Sequence, residues 1–145
     1  FGQTDWIVLD AEEGNVLLLQ KEPVEQVQSY HSQRADVTWK ECSARTWLNG
    51  TYLSETFSSS EQEILVSNSA GKLTDSVFLL SIAEMERYGT LLEQSDYNWW
   101  LRTAGDTPET AVFVSPSNQM MEYGYPVDNT DIRLRPAVWV DCTIS

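Results

Sequence analysis

The chain has 145 residues, 41% of them hydrophobic and 11% aromatic, with six Trp, which is enough apolar material for one core of ordinary domain size. Nine Lys and Arg against 22 Asp and Glu leave a net charge of −13, a field that repels phosphate backbones and argues against nucleic acid as a partner. No apolar run approaches the roughly 18 residues needed to cross a bilayer, so membrane insertion is not expected.

The chain opens at Phe1-Gly2 with neither an initiator Met nor a signal peptide, and reads as one domain, residues 1–145, cut from a longer protein. Residues 6–10 form a predicted strand, with Trp6 and Val8 on one face and Ile7 and Leu9 on the other. Glu12-Glu13-Gly14-Asn15 is a turn in which Gly and Asn tolerate positive φ, and residues 16–21 return as a hairpin partner. Pro23 ends that strand. Residues 24–36 are polar and poorly periodic, and read as a surface connection.

Three helices are marked by one device, a Ser or Thr with Glu three residues later, which can satisfy the free backbone donors of a helix start. Thr38 with Glu41 opens the first, which carries Trp39, Trp47 and Leu48 and stops at Asn49-Gly50. Ser60 with Glu63 opens the second, through Val66; Ser81 with Glu84 opens the third, through Tyr88, closed by Gly89. Between the last two, residues 76–81 read as a buried strand, and residues 90–97 as a short loop.

Asn98-Trp99-Trp100-Leu101-Arg102 is a costly composition for a surface loop. As a strand it puts Trp99 and Leu101 on one side and Trp100 and Arg102 on the other, so it is read as a central strand with a core on each side. Residues 103–110 are a loop, 111–115 a strand, Pro116-Ser117-Asn118 a turn, and 119–123 a hairpin partner. Residues 124–131 are irregular, and 132–140 form the last strand, with Pro136 at a bulge or where ladder pairing is not needed. Helices and strands are segregated rather than alternating, which predicts an α+β fold with a mainly antiparallel sheet. Cys42 and Cys142 lie almost a domain apart and lack zinc-type partners; they are either two small buried residues or one disulfide.

Thr38-Trp39 through Arg45-Thr46-Trp47-Leu48-Asn49, Asp75-Ser76-Val77-Phe78-Leu79-Leu80-Ser81 with Glu84 and Tyr88, Trp99-Trp100-Leu101-Arg102, and Arg135-Pro136-Ala137-Val138-Trp139 follow the opening Trp6-Ile7-Val8-Leu9. In this order they resemble a family of bacterial domains of unknown function found in secreted or surface-attached proteins of Gram-positive gut bacteria. Arg133 stands where many members carry Gly. The resemblance implies a fold similar to the C-type lectins and the formylglycine-generating enzymes, with residues 6–10 pairing with 137–140 and a long-loop region before the last strands. It also implies a disulfide between Cys42 and Cys142, and an extracellular or cell-surface location.

Enzyme chemistry finds little support. His31 is the lone His, no Gly-rich phosphate loop is present, and Cys142 lacks the nearby Cys of the formylglycine-generating enzymes. Arg45, Arg102 and Arg135 read as structural, stacked on Trp or paired with a buried carboxylate. The candidate ligand surface is Asp106, Tyr123, Tyr125, Asp128, Asn129 and Asp131, where tyrosines and polar groups suit a glycan or a protein. Calcium would use Asp128, Asn129 and Asp131, but the Glu-Pro-Asn or Gln-Pro-Asp motif of sugar-binding lectins is missing, so no cofactor is expected. The expected function is non-enzymatic recognition through the loops over residues 103–131. The alternative is a spacer domain of a surface protein.

Overall fold

The computed structural model describes residues 2, 4–25, 28–66, 68–70, 73–94 and 96–142. The predicted connection over 24–36 and the loop over 90–97 each include positions outside the described residues. The fold is α+β, with a four-stranded sheet, a three-stranded sheet, a small two-stranded ribbon and short helices, most of them early in the chain.

Strand β1 (Trp6–Glu12) turns tightly into β2 (Asn15–Gln20). The two-residue turn uses Glu13 at φ 50° and Gly14 at φ 87°, and consecutive left-handed residues match the right-handed twist of the strands they join. Asn15 is already in the strand.

The early helical segment starts later than predicted. Thr38 to Glu41 closes only a turn, Glu41 N–H donating to Thr38 O at 3.0 Å. Helix α1 (Ser43–Trp47) is capped by Cys42, whose Sγ accepts from Arg45 N–H. The chain then continues, without stopping at Asn49-Gly50, through a π turn over Leu48–Tyr52 into α2 (Leu53–Thr56). Helix α3 (Ser59–Glu63) carries a capping box on Ser58 and Glu61, two residues before the predicted pair. Short strands β3 (Leu65–Val66), β4 (Asn68–Ala70) and β5 (Leu73–Asp75) follow. Helix α4 (Ile82–Tyr88) opens on the predicted capping box, with Ser81 Oγ accepting from Glu84 N–H and the Glu84 carboxylate accepting from Ser81 N–H. Gly89 stays right-handed and leads into a short 3₁₀ turn.

Strands β6 (Trp99–Ala104), β7 (Thr110–Val114) and β8 (Met120–Pro126) form the antiparallel second sheet. The last strand, β9 (Ala137–Asp141), begins five residues later than predicted. It joins the first sheet in the order β1-β2-β9-β3. Strand β1 therefore does not pair with β9: β2 lies between them, because the tight turn after β1 fills one edge of β2 and leaves the other to β9.

Residues 77–80 join the two sheets. All four are fully buried, as their apolar run predicts, yet they do not form a strand. Phe78 makes a single bridge to Ala137 of β9, and Leu80 O accepts from Arg102 N–H of β6 at 2.9 Å. Trp99, Trp100 and Leu101 are fully buried as well, so β6 has core on both faces. By pairing, however, it is an edge, and its free side is covered by the chain around Arg133, whose carbonyl accepts from Trp100 N–H at 2.9 Å. The predicted surface connection also reaches inward, with Tyr30 buried and its hydroxyl donating to Arg102 O at 2.8 Å.

The cysteines do not form a disulfide. Cys42 is a buried free thiol at the start of α1, where burial pushes its pKa up to about 12, and Cys142 is an exposed free thiol. Cys142 N–H donates to Gly14 O, which holds it at the β1–β2 turn.

Tyr88 ties α4 to β1 through a 2.6 Å hydrogen bond to Asp10. That bond, with a second from Ala11 N–H, holds the Asp10 carboxyl below its ordinary 3.8. A depressed folded value means the unfolded chain binds the proton more readily, so this contribution is complete above 3.8 and is lost as pH falls through the folded value. In Tyr88→Phe the stability deficit, measured by urea unfolding, is expected to be largest at neutral pH and to narrow below 3.8.

Candidate functional site

The β7–β8 hairpin builds the candidate surface. Its turn uses Asn118 at φ 63°, and a bulge interrupts the register between Ala111 and Phe113. Gly124 at φ 81° lies between the two tyrosines. Tyr123 and Tyr125 meet the Phe113 ring edge-on at 6.2 and 6.1 Å, at 88° and 89°. Phe113 is 8% exposed while Tyr123 and Tyr125 are 54% and 43% exposed, so a buried ring supports two outward ones. Edge-to-face pairs are worth about 0.5–1.5 kcal/mol each beyond their area, so Phe113 orders both rings.

The loop over residues 103–110 folds against this strand. A Cβ on Gly105 would lie 2.9 Å from both Gly124 Cα and Tyr123 O, so the backbones touch there only because neither glycine has a side chain. The contact lets Asp106 N–H donate to Tyr123 O at 3.1 Å, which sets an exposed acidic residue beside the Tyr123 backbone.

Asp106, Tyr123 and Tyr125 are thus brought together. Asp128, Asn129 and Asp131 follow β8, where the Asp128 carboxylate and the Asn129 side-chain oxygen are engaged. Asp128 pairs with Arg34 at 3.3 Å, Asn129 Oδ1 accepts from Asp131 N–H at 2.8 Å, and Asn129 N–H donates to Pro126 O. Among the described residues no group of three or more His, Cys, Asp or Glu is placed to hold a metal ion. His31 is equally committed, its Nδ1 accepting from Ser43 N–H at 3.0 Å.

The arginines act as their neighbours suggest. Arg45 pairs with Asp75 at 2.6 Å, Arg102 with Glu84 at 2.5 Å, and Arg135 lies 4.8 Å over the Trp99 ring. Arg133 stacks on Tyr97 at 4.0 Å.

Sequence reasoning missed Phe113, although its place opposite Met121 follows once the hairpin register is known. It also missed a groove of about 450 Å³ lined by Gln20, Glu22, Glu25, Trp47, Tyr52 and Glu55. No sequence signal marks it. Trp47 and Tyr52 are five residues apart and share a face, 5.6 Å between rings, only because of the π turn.

The profile of a domain family matches residues 13–142, nearly the whole chain. The chain belongs to this family, a domain of unknown function, DUF6273. The DUF6273 match takes in the β7–β8 hairpin, the loop over 103–110 and all six candidate residues, and it begins just after β1. Comparison with curated proteins finds no match, and comparison with solved structures finds none. No helix among the described residues is long and apolar enough to cross a membrane.

Proposed function

We propose that this DUF6273 domain is a non-enzymatic extracellular recognition module that binds a neutral glycan through the β7–β8 hairpin and the loop over residues 103–110. The observation that carries the reading is the exposed pair Tyr123 and Tyr125, held edge-on by Phe113 with Asp106 bonded alongside. Tyr combines a large ring with a polar tip and little rotamer freedom, so it binds at low entropic cost. A sugar offers C–H faces to such rings and hydroxyls to a carboxylate. The net charge of −13 favours a ligand that is not itself acidic. The resemblance to C-type-lectin-like domains of secreted and surface-attached bacterial proteins supports the same reading, since it puts a long-loop region before the last strands. The commitment of His31 Nδ1 to Ser43 N–H removes that nitrogen as a general base.

A glycan-array screen, run with calcium and again with chelator, tests this. The expected result is binding that survives chelation and weakens at least about tenfold in the double variant Tyr123→Ala/Tyr125→Ala, with the unfolding transition retained. Asp128→Ala is expected to leave binding intact, because its carboxylate is engaged by Arg34. Silence from a folded sample overturns the glycan reading in favour of a protein partner or a spacer domain.

A further inference from the structure

The groove of about 450 Å³ beside Trp47 and Tyr52 shares no residue with the tyrosine surface. Its volume lies within the roughly 300–1,000 Å³ range of small-molecule sites. Two aromatic residues from the helical segment line it. Trp47 ends α1 half-buried, and Tyr52 ends the π turn, with 5.6 Å between the rings. The Tyr52 hydroxyl donates to Gln20 Oε1, and Gln20 Nε2 donates to Glu22 O at 2.7 Å. These bonds fasten the aromatic side of the groove to the chain after β2, where Glu22 and Glu25 stand.

The charges that line the groove are all of one sign. Glu22, Glu25 and Glu55 are exposed, and among the described residues no Lys, Arg or His lines it. None of the three makes an ion pair among the described residues. Glu22 feels the charge of the Arg135 guanidinium, so the uncompensated charge is that of Glu25 and of Glu55 on α2. The three carboxylates are not placed to hold one metal ion together. A compact cation would therefore meet only part of the set. Separate carboxylates call for separate positive charges, and an aromatic face attracts an ammonium group and packs against its methylenes. We infer that this groove binds a linear aliphatic polyamine. Its ammonium groups pair with Glu25 and Glu55, with Glu22 adding to the field, and its methylene chain lies along Trp47. A monoamine would leave one of these carboxylates uncompensated. An anion would be repelled by all three.

Spermidine, putrescine, butylamine and trilysine are the probes, titrated into the whole chain at about 0.15 M salt, where charges more than about 8 Å apart are screened. Calorimetry reads affinity, and amide and indole N–H shifts read position. Saturable spermidine binding is expected, with putrescine weaker and butylamine at least about tenfold weaker than spermidine, the worth of one charged hydrogen bond. The shifts are expected at residues 22–25 and 47–56 and at the Trp47 indole. The deciding variants are at exposed positions, where folding is not at stake. Glu25→Gln/Glu55→Gln is expected to weaken spermidine at least about tenfold. Glu41→Gln/Glu86→Gln removes the same charge from exposed positions outside the groove and is expected to leave the affinity within about twofold. An equal loss in both double variants overturns the inference, because the net charge of the chain would then explain the binding. So does butylamine binding as tightly as spermidine, or no saturable response to spermidine. Trilysine binding more tightly than spermidine with the same shifts overturns it in favour of a basic peptide.

Discussion

Replacing Asp75 with Ala is expected to destabilise the domain by about 3 kcal/mol, read from urea unfolding with an unchanged slope. Asp75 is 1% exposed and holds two partners, accepting from Trp39 Nε1 at 2.7 Å and from Arg45 Nε at 2.6 Å. Truncation leaves a buried indole N–H and a guanidinium without their acceptor. Arg45 is 27% exposed and can turn toward water, which keeps the loss at the lower end of the range for a broken buried pair. Asp75→Asn preserves an acceptor for Trp39 and is expected to cost clearly less. The double variant Asp75→Ala/Arg45→Ala should cost less than the sum of the singles, because each single change already removes the shared interaction. Strict additivity would show that the pair contributes nothing as a pair.

Asn49→Ala is expected to cost about 2 kcal/mol or more, by the same measurement. The Asn49 amide joins the π turn to the chain before α4. Its Nδ2 donates to Arg45 O at 3.0 Å and Val77 O at 2.8 Å, and its Oδ1 accepts from Ser76 and Val77 N–H, both at 2.9 Å. Ala leaves the Ser76 and Val77 backbone groups without partners, next to the fully buried run over 77–80. Asn49→Asp keeps the acceptor and loses the donor, so it is expected to fall between wild type and Ala. A cost near zero for Asn49→Ala would mean that water reaches these groups, and that the side chain is not what fastens the helical segment to residues 76–77.

These two side chains also show where sequence reading stops. The capping-box spacing of Thr38 and Glu41 predicts a helix that carries Trp39. The indole is instead held by Asp75, 36 residues on, and the helix starts only at Ser43. Asn49-Gly50 has the composition of a helix stop, yet the Asn49 amide bonds across to Val77 and the chain continues as a π turn. In both places a long-range hydrogen bond outweighs a local preference worth about 1 kcal/mol. At the candidate surface, the tyrosines and Asp106 were legible by residue type alone, although Tyr125 lies in β8 and not in the irregular stretch expected over 124–131, because the hairpin pairing with β7 runs on to Pro126. Phe113 beneath them was not, since one bulge decides which ring of β7 meets them. Arg135 was legible as a Trp-stacking residue, but its acceptors were not, because they are the backbone carbonyls of Gln20 and Lys21, more than a hundred residues away.

What the sequence determined by itself is the set of features whose physics is local. These are the turn over residues 12–15 and its hairpin, the Ser81–Glu84 capping box, the β6 strand with both faces buried, and the burial of residues 77–80. Backbone freedom, capping geometry and side-chain alternation act within a few residues, so they can be read along the chain. Only the tertiary structure decided that β2 separates β1 from β9, that Cys42 and Cys142 stay apart, and that Gly105 meets Gly124 to set Asp106 beside Tyr123. Each of these depends on which of several compatible neighbours fills an edge or a gap, and that choice is made by packing between segments far apart in sequence.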